Sequence, residues 1–109
     1  MLGDNYTADL PGGTATTTIQ MQKKKTLKQA VISILNAAAG KVELSTSPTS
    51  QIGTAQPTAD VIFRLNVSAG TAATVSPATV IPLNVPVQAF QSLYVHQTGA
   101  GNLGGICLS

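Results

Sequence analysis

Ten glycines and six prolines break much of this 109-residue chain into short runs. The residues between them are rich in Val, Ile and Thr. Side chains branched at Cβ lose rotamer freedom in a helix and pack well on a pleated surface. Apolar runs of this length, bounded by Gly, Pro, Asn and Ser, read as strands. The chain is therefore confined to short strands joined by turns, and its length sets it at one domain.

Only 9% of the residues are charged, where a soluble domain carries about 25%. Thr and Ser supply the polarity instead, in runs such as Thr14-Ala15-Thr16-Thr17-Thr18 and Ser45-Thr46-Ser47-Pro48-Thr49-Ser50. So little charge offers little repulsion between copies. It suits a protein whose surface is covered by copies of itself or by a larger assembly. The net charge of +2 is too weak to imply nucleic acid. The basic cluster Lys23-Lys24-Lys25 with Lys28 reads as a solvated loop or a lysine-protected edge strand, and no aromatic residue interleaves with it to stack on bases. Cys107 is the single cysteine, so no disulfide forms within the chain, and its apolar surroundings predict a small buried side chain. Residues 1–5 lack the basic and apolar regions of a signal peptide. No apolar stretch approaches the roughly 18 residues of a membrane helix. Folding in the cytoplasm is expected, with no membrane and no nucleic acid among the partners.

Residues 1–13 form a polar leader with Leu2, Tyr6 and Leu10 as its large apolar groups, ending in Pro11-Gly12-Gly13. The expectation is a flexible arm that orders on a partner. Residues 14–22 alternate, with Ala15, Thr17, Ile19 and Met21 on one side. Residues 23–40 admit two readings. Leu27, Val31, Ile34, Leu35 and Ala38 fit helical spacing, with Thr26 and Gln29 as a capping box and Gly40 as the C-terminal cap. The β-branched Val31, Ile32 and Ile34 favour a hairpin of residues 30–35 and 41–45 around a small-residue turn. The hairpin is preferred. Residues 45–59 read as a long loop and 60–68 as the clearest strand, with Val61, Phe63, Leu65 and Val67 on one side. Ala69 to Ala73 is a turn. Pro77, Pro82 and Pro86 restrict residues 74–87 to an edge strand or an extended segment. A strand over 93–97, a turn over 98–102 and a strand over 103–108 form an expected C-terminal hairpin. Leu93, Val95, Leu103 or Ile106, and Leu108 should point inward, with Tyr94 and His96 on the opposite face. Seven or eight short strands without a βαβ rhythm predict an all-β fold, an antiparallel β-sandwich or jelly-roll-like single domain over residues 14–109, with the arm at 1–13.

No catalytic constellation is visible, and no catalytic, cofactor-binding or metal-binding residue is assigned. His96 is the only histidine, and a structural or surface-lining role is expected for it. General base chemistry needs an orienting carboxylate and a nucleophile in reach. Asp4, Asp9, Glu43 and Asp60 are the only acidic residues, and none belongs to a recognisable pair. Nothing in the sequence brings Glu43 and Asp60 together as the paired carboxylates of a glycosidase. Gly99-Ala100-Gly101 with Gly104-Gly105 lacks the strand-to-helix setting and the Lys-Ser/Thr ending of a phosphate loop. Two Tyr and two Phe, with both Phe expected in the core, leave few side chains for a sugar platform.

The closing stretch carries a resemblance. Ile81-Pro82-Leu83-Asn84-Val85-Pro86 is followed by Gln91-Ser92-Leu93-Tyr94-Val95-His96-Gln97-Thr98-Gly99-Ala100-Gly101 and then by Gly104-Gly105-Ile106-Cys107-Leu108. Residues 81–108 resemble the closing strands of small virion proteins of tailed bacteriophages, head decoration (cement) proteins and β-sandwich modules of head or tail fibres. The resemblance implies a non-enzymatic structural virion protein. Such a protein is commonly a homotrimer, partnered by the major capsid protein and located in a virion assembled in the host cytoplasm. It supplies no catalytic residues. The alternative expectation is an adhesive fibre or baseplate module, or a carbohydrate-binding module, that recognises a cell surface.

Overall fold

The computed structural model describes residues 5–11, 13–36, 40–52, 60–67, 79–98 and 103–109. It contains eight strands in chain order: β1 Tyr6–Pro11, β2 Ala15–Gln20, β3 Lys25–Asn36, β4 Gly40–Ser45, β5 Val61–Val67, β6 Thr79–Val87, β7 Ser92–Thr98 and β8 Leu103–Leu108. They form two four-stranded sheets, ordered β1-β8-β3-β6 and β2-β7-β4-β5. All strand pairs are antiparallel. The fold is an all-β sandwich with jelly-roll-like wiring. β4 pairs with β5, and β3 with β6, β2 with β7 and β1 with β8, so the chain is paired with itself from its middle outward.

The inward side chains of both sheets join in one core. Leu10, Leu27, Ala30, Ile32, Val87, Ile106 and Leu108 come from the first sheet, and Ile19, Val42, Leu44, Leu93 and Val95 from the second. Met21, fully buried, closes one end. Strand alternation explains the set: Leu93 and Val95 lie inside while Tyr94 points outward between them. Both prolines of β6, Pro82 and Pro86, sit on an edge strand, where a missing N–H is tolerated. At the β1–β2 corner Gly13 adopts φ 72°, a left-handed conformation that a Cβ would disfavour.

Several expectations are corrected. The arm over 1–13 does not hold for residues 6–11, which form β1 and pair with β8 from Tyr6↔Leu108 to Pro11↔Leu103. Leu10 is 2% exposed in the core, and the Tyr6 hydroxyl accepts a hydrogen bond from the Gln22 N–H at 3.0 Å. Leu10 anchors the strand in the core, and Tyr6 and Ala8, on the same side, pack against it. The sandwich therefore begins at β1, not at residue 14. Residues 25–36 and 40–45 are strands rather than a helix, yet they do not form a hairpin, because β3 and β4 lie in different sheets. The C-terminal hairpin fails for the same reason: β7 pairs with β2 and β4, and β8 with β1 and β3. Alternation fixes which side of each strand is apolar but not which strand it pairs with. The expected turns at 69–73 and 99–102 lie outside the described residues.

The Leu93 side chain is fully buried. Leu93→Ala is expected to cost roughly 2–5 kcal/mol in urea unfolding. Thr18→Ala, exposed on the same sheet, should stay within about 0.5 kcal/mol.

Candidate functional site

The outer face of the β2-β7-β4-β5 sheet carries a polar row in direct register. Thr16 lies opposite His96, His96 opposite Glu43, and Glu43 opposite Arg64, so one rung crosses all four strands. Glu43 is fully buried and His96 is 1% exposed. They are enclosed because residues 46–52, which follow β4, fold back over them.

Each buried polar group has its partners. The Arg64 Nε–H donates to Glu43 Oε2 at 3.0 Å, and the Gln51 N–H donates to Glu43 Oε1 at 3.0 Å. The Arg64 guanidinium also donates to the Gln51 carbonyl. The Ser47 carbonyl lies 2.9 Å from His96 Nε2, and the Thr16 hydroxyl lies 2.9 Å from Nδ1. A carbonyl can only accept, so Nε2 carries the proton, and in the neutral ring Nδ1 accepts from Thr16. Tyr94 stacks beside His96 with ring centroids 6.4 Å apart. The Ser45 hydroxyl donates to the Ser47 carbonyl at 2.9 Å and accepts from the Ser47 N–H at 3.2 Å, turning the chain over the rung.

Chemically this arrangement is a staple. Thr16 and His96 form a hydroxyl–imidazole pair, but the ring is closed in by its own chain and its second nitrogen is spent on the Ser47 carbonyl. Both Glu43 oxygens are likewise engaged. Sequence reasoning placed His96 correctly on the face opposite Leu93 and Val95. It gives Glu43 no recognisable partner and misses Arg64, although Arg64 is the single arginine and lies on the outward face of the clearest strand. Asp60 instead meets Thr46, whose N–H donates to the Asp60 carbonyl at 2.9 Å. Among the described residues no three His, Cys, Asp or Glu side chains gather as a metal site. Nor is any helix among them long and apolar enough to cross a membrane.

The β1-β8-β3-β6 sheet presents a different outer face. Its outward residues include Thr7, Asp9, Val31, Ser33, Val80, Gly105 and Cys107. Only Asp9 and Lys28 are charged among those described on this face. No described segment folds over it. A shallow depression of 260 Å³ lies across β1, β8 and β3, and Gly105 leaves its floor without a side chain. Cys107 lines this depression and is half-buried, not enclosed in the core as expected, because Ile106 and Leu108 take the inward positions.

At one end of the sandwich the 21–24 and 88–91 turns are joined by backbone hydrogen bonds. The Phe90 N–H donates to the Met21 carbonyl and the Met21 N–H to the Gln91 carbonyl, both at 2.8 Å. Phe90, expected in the core, is 68% exposed. Lys23 and Lys24 are exposed in the adjoining turn, and Lys25 opens β3 opposite Val87. Lys28 sits beside the bulge in β3, a central strand and not an edge.

Compared with known proteins, the chain matches no family model, no curated protein and no solved structure.

His96→Ala is expected to cost about 2–4 kcal/mol, since it removes one of the two donors to the Ser47 carbonyl and opens a cavity where the enclosed ring stood. That replaces the small cost a surface histidine would carry. Glu43→Ala should cost about 1–3 kcal/mol, below a fully enclosed pair, because the Arg64 side chain is 20% exposed and can turn to water. Urea unfolding gives both values, and limited proteolysis should cut residues 46–52 faster in each variant.

Proposed function

We propose that the chain is a structural virion protein, a capsid decoration (cement) subunit that binds and stabilises a viral capsid lattice as a homo-oligomer. A trimer is the favoured state, and the major capsid protein of the particle is the partner. The observation that carries this reading is the contrast between the two sheet faces. One is covered by the chain's own residues 46–52, and the other is, among the described residues, uncovered, nearly uncharged and dimpled around Gly105. Cores of specific interfaces are depleted in Lys, Glu and Asp, and this face has that composition. The resemblance of residues 81–108 to closing strands of phage decoration proteins supports the same reading. So does the eight-strand wiring, an architecture used by viral coat and lectin domains. Such a subunit works by spanning contacts between neighbouring capsomers and carries out no reaction.

One observation favours the adhesive alternative: Tyr94 points outward and stacks on His96. Its sheet is the covered one, and the depression lies on the other, so among the described residues a sugar would meet a single ring and not the depression.

The purified chain should sediment as an oligomer at micromolar concentration. It should also cosediment with capsids and raise the temperature at which they rupture. A monomer that attaches to no capsid overturns the reading, and saturable glycan binding by that monomer transfers it to the adhesive alternative.

A further inference from the structure

Phe90 is the one described residue other than glycine with a positive φ, 64°. A bulky aromatic in that region is an outlier; turns place Gly or Asn there. Strain of this kind persists where the surroundings over-determine it, and such sites cluster at ligand clamps. Here the frame is complete. Besides the two bonds to Met21, the Gln91 N–H donates to the Gln88 carbonyl at 3.2 Å, and the Gln88 N–H donates to Gln91 Oε1 at 2.9 Å. The result is a turn whose backbone is framed by hydrogen bonds and which carries an aromatic side chain that is 68% exposed. Lys24 stands exposed in the adjoining turn, and neither turn holds an acidic residue.

The depression on the open face has the complementary character. Its floor is Gly105, its walls include Val31 and Cys107, and exposed Asp9 stands at its rim. Its volume is 260 Å³, and an apolar cavity of about 150 Å³ already holds benzene. Size, apolar lining and charge all match the Phe90 corner. The two features cannot meet within one molecule. Val87, level with Lys25 at the Phe90 end, is separated along β6 from Val80, level with the depression, by roughly 20 Å of strand.

We infer that copies of this chain associate head to tail, with Phe90 of one copy seated in the Gly105 depression of the next and Lys24 beside Asp9. The contact joins two different patches, so it is heterologous and either closes into a ring or continues as a filament. A closed ring of three is the trimer of the proposed function, and the inference rests on that reading only in taking the chain to self-associate.

Sedimentation velocity of the full chain and four variants tests this. Phe90→Gly should lose the oligomer while its urea midpoint stays level or rises, because glycine suits the left-handed position. Gly105→Leu should lose it too with the fold intact. A Cβ there meets its nearest atom, the Ala8 carbonyl oxygen, at 3.5 Å, an ordinary contact, so the added bulk goes into the socket. Asp9→Lys should weaken association about tenfold or more by opposing like charges, and adding Lys24→Asp should restore it. Cys107 should react with a thiol reagent slowly in the parent chain and several times faster in Phe90→Gly. An oligomer that survives both Phe90→Gly and Gly105→Leu overturns this contact and leaves the proposed function standing. A parent chain that is monomeric throughout overturns the contact and removes self-association from that function. An unchanged mass with lost binding to phosphatidylserine vesicles overturns the contact and gives the corner to lipid.

Discussion

Each strand depends on a partner supplied by a distant part of the chain. Only β4 and β5 are neighbours in both sequence and sheet. From that pair the pairing runs outward to β3–β6, β2–β7 and β1–β8, and successive rungs fall in opposite sheets. This alternation lets two half-apolar ribbons turn their apolar sides toward each other and bury one continuous core. It also means that loop-closure entropy is spent before most burial is gained, so the native sandwich forms as a whole or hardly at all.

The same wiring explains the buried polar rung. β7 and β4 occupy the centre of their sheet, and the segment leaving β4 returns across their outer side before β5 begins. A covered outer face buries whatever the strands present there, and alternation presents His96 and Glu43. An unpaired buried carboxylate or imidazole would be costly. Arg64, the Gln51 N–H, the Ser47 carbonyl and Thr16 supply the partners. Among the described residues the two sheets consequently differ in kind: one has its outer surface covered by residues 46–52, and no described segment crosses the other.

What was legible in the sequence was local. The alternation around Ile19, Phe63 and Leu93 gave strands and faces, and the prolines of β6 gave an edge, because side-chain period and a missing N–H act within a few residues. Pairing was not legible. The glycine-rich stretch after Thr98 reads as a hairpin turn, since short connections usually join neighbours, and nothing local reveals that β7 and β8 part company. Residues 6–11 read as too polar to be held, yet Leu10, with Tyr6 and Ala8 beside it, holds them once β8 supplies the hydrogen bonds. The rung was half legible. Tyr94 and His96 were set outward, but the segment that covers them is polar and carries no periodic signal. Phe90 was assigned to the core on hydrophobicity alone, a rule that a turn in a left-handed conformation overrides.

The positions of β7 and β8 have a consequence during synthesis. Both lie inside their sheets, β8 between β1 and β3 and β7 between β2 and β4. A ribosome adding 5–20 residues per second takes about 5 to 20 seconds to travel from Tyr6 to its partner Leu108. For that interval β1 has no strand to pair with, and the growing chain exposes two gaps, each one strand wide. The segment that follows β1 out of the ribosome, and waits in turn for β7, runs through Thr14, Thr16, Thr17, Thr18 and the lysines at 23–25, a polar stretch poorly suited to sticking to a neighbouring nascent chain. Translation pauses before residue 103 would prolong the wait.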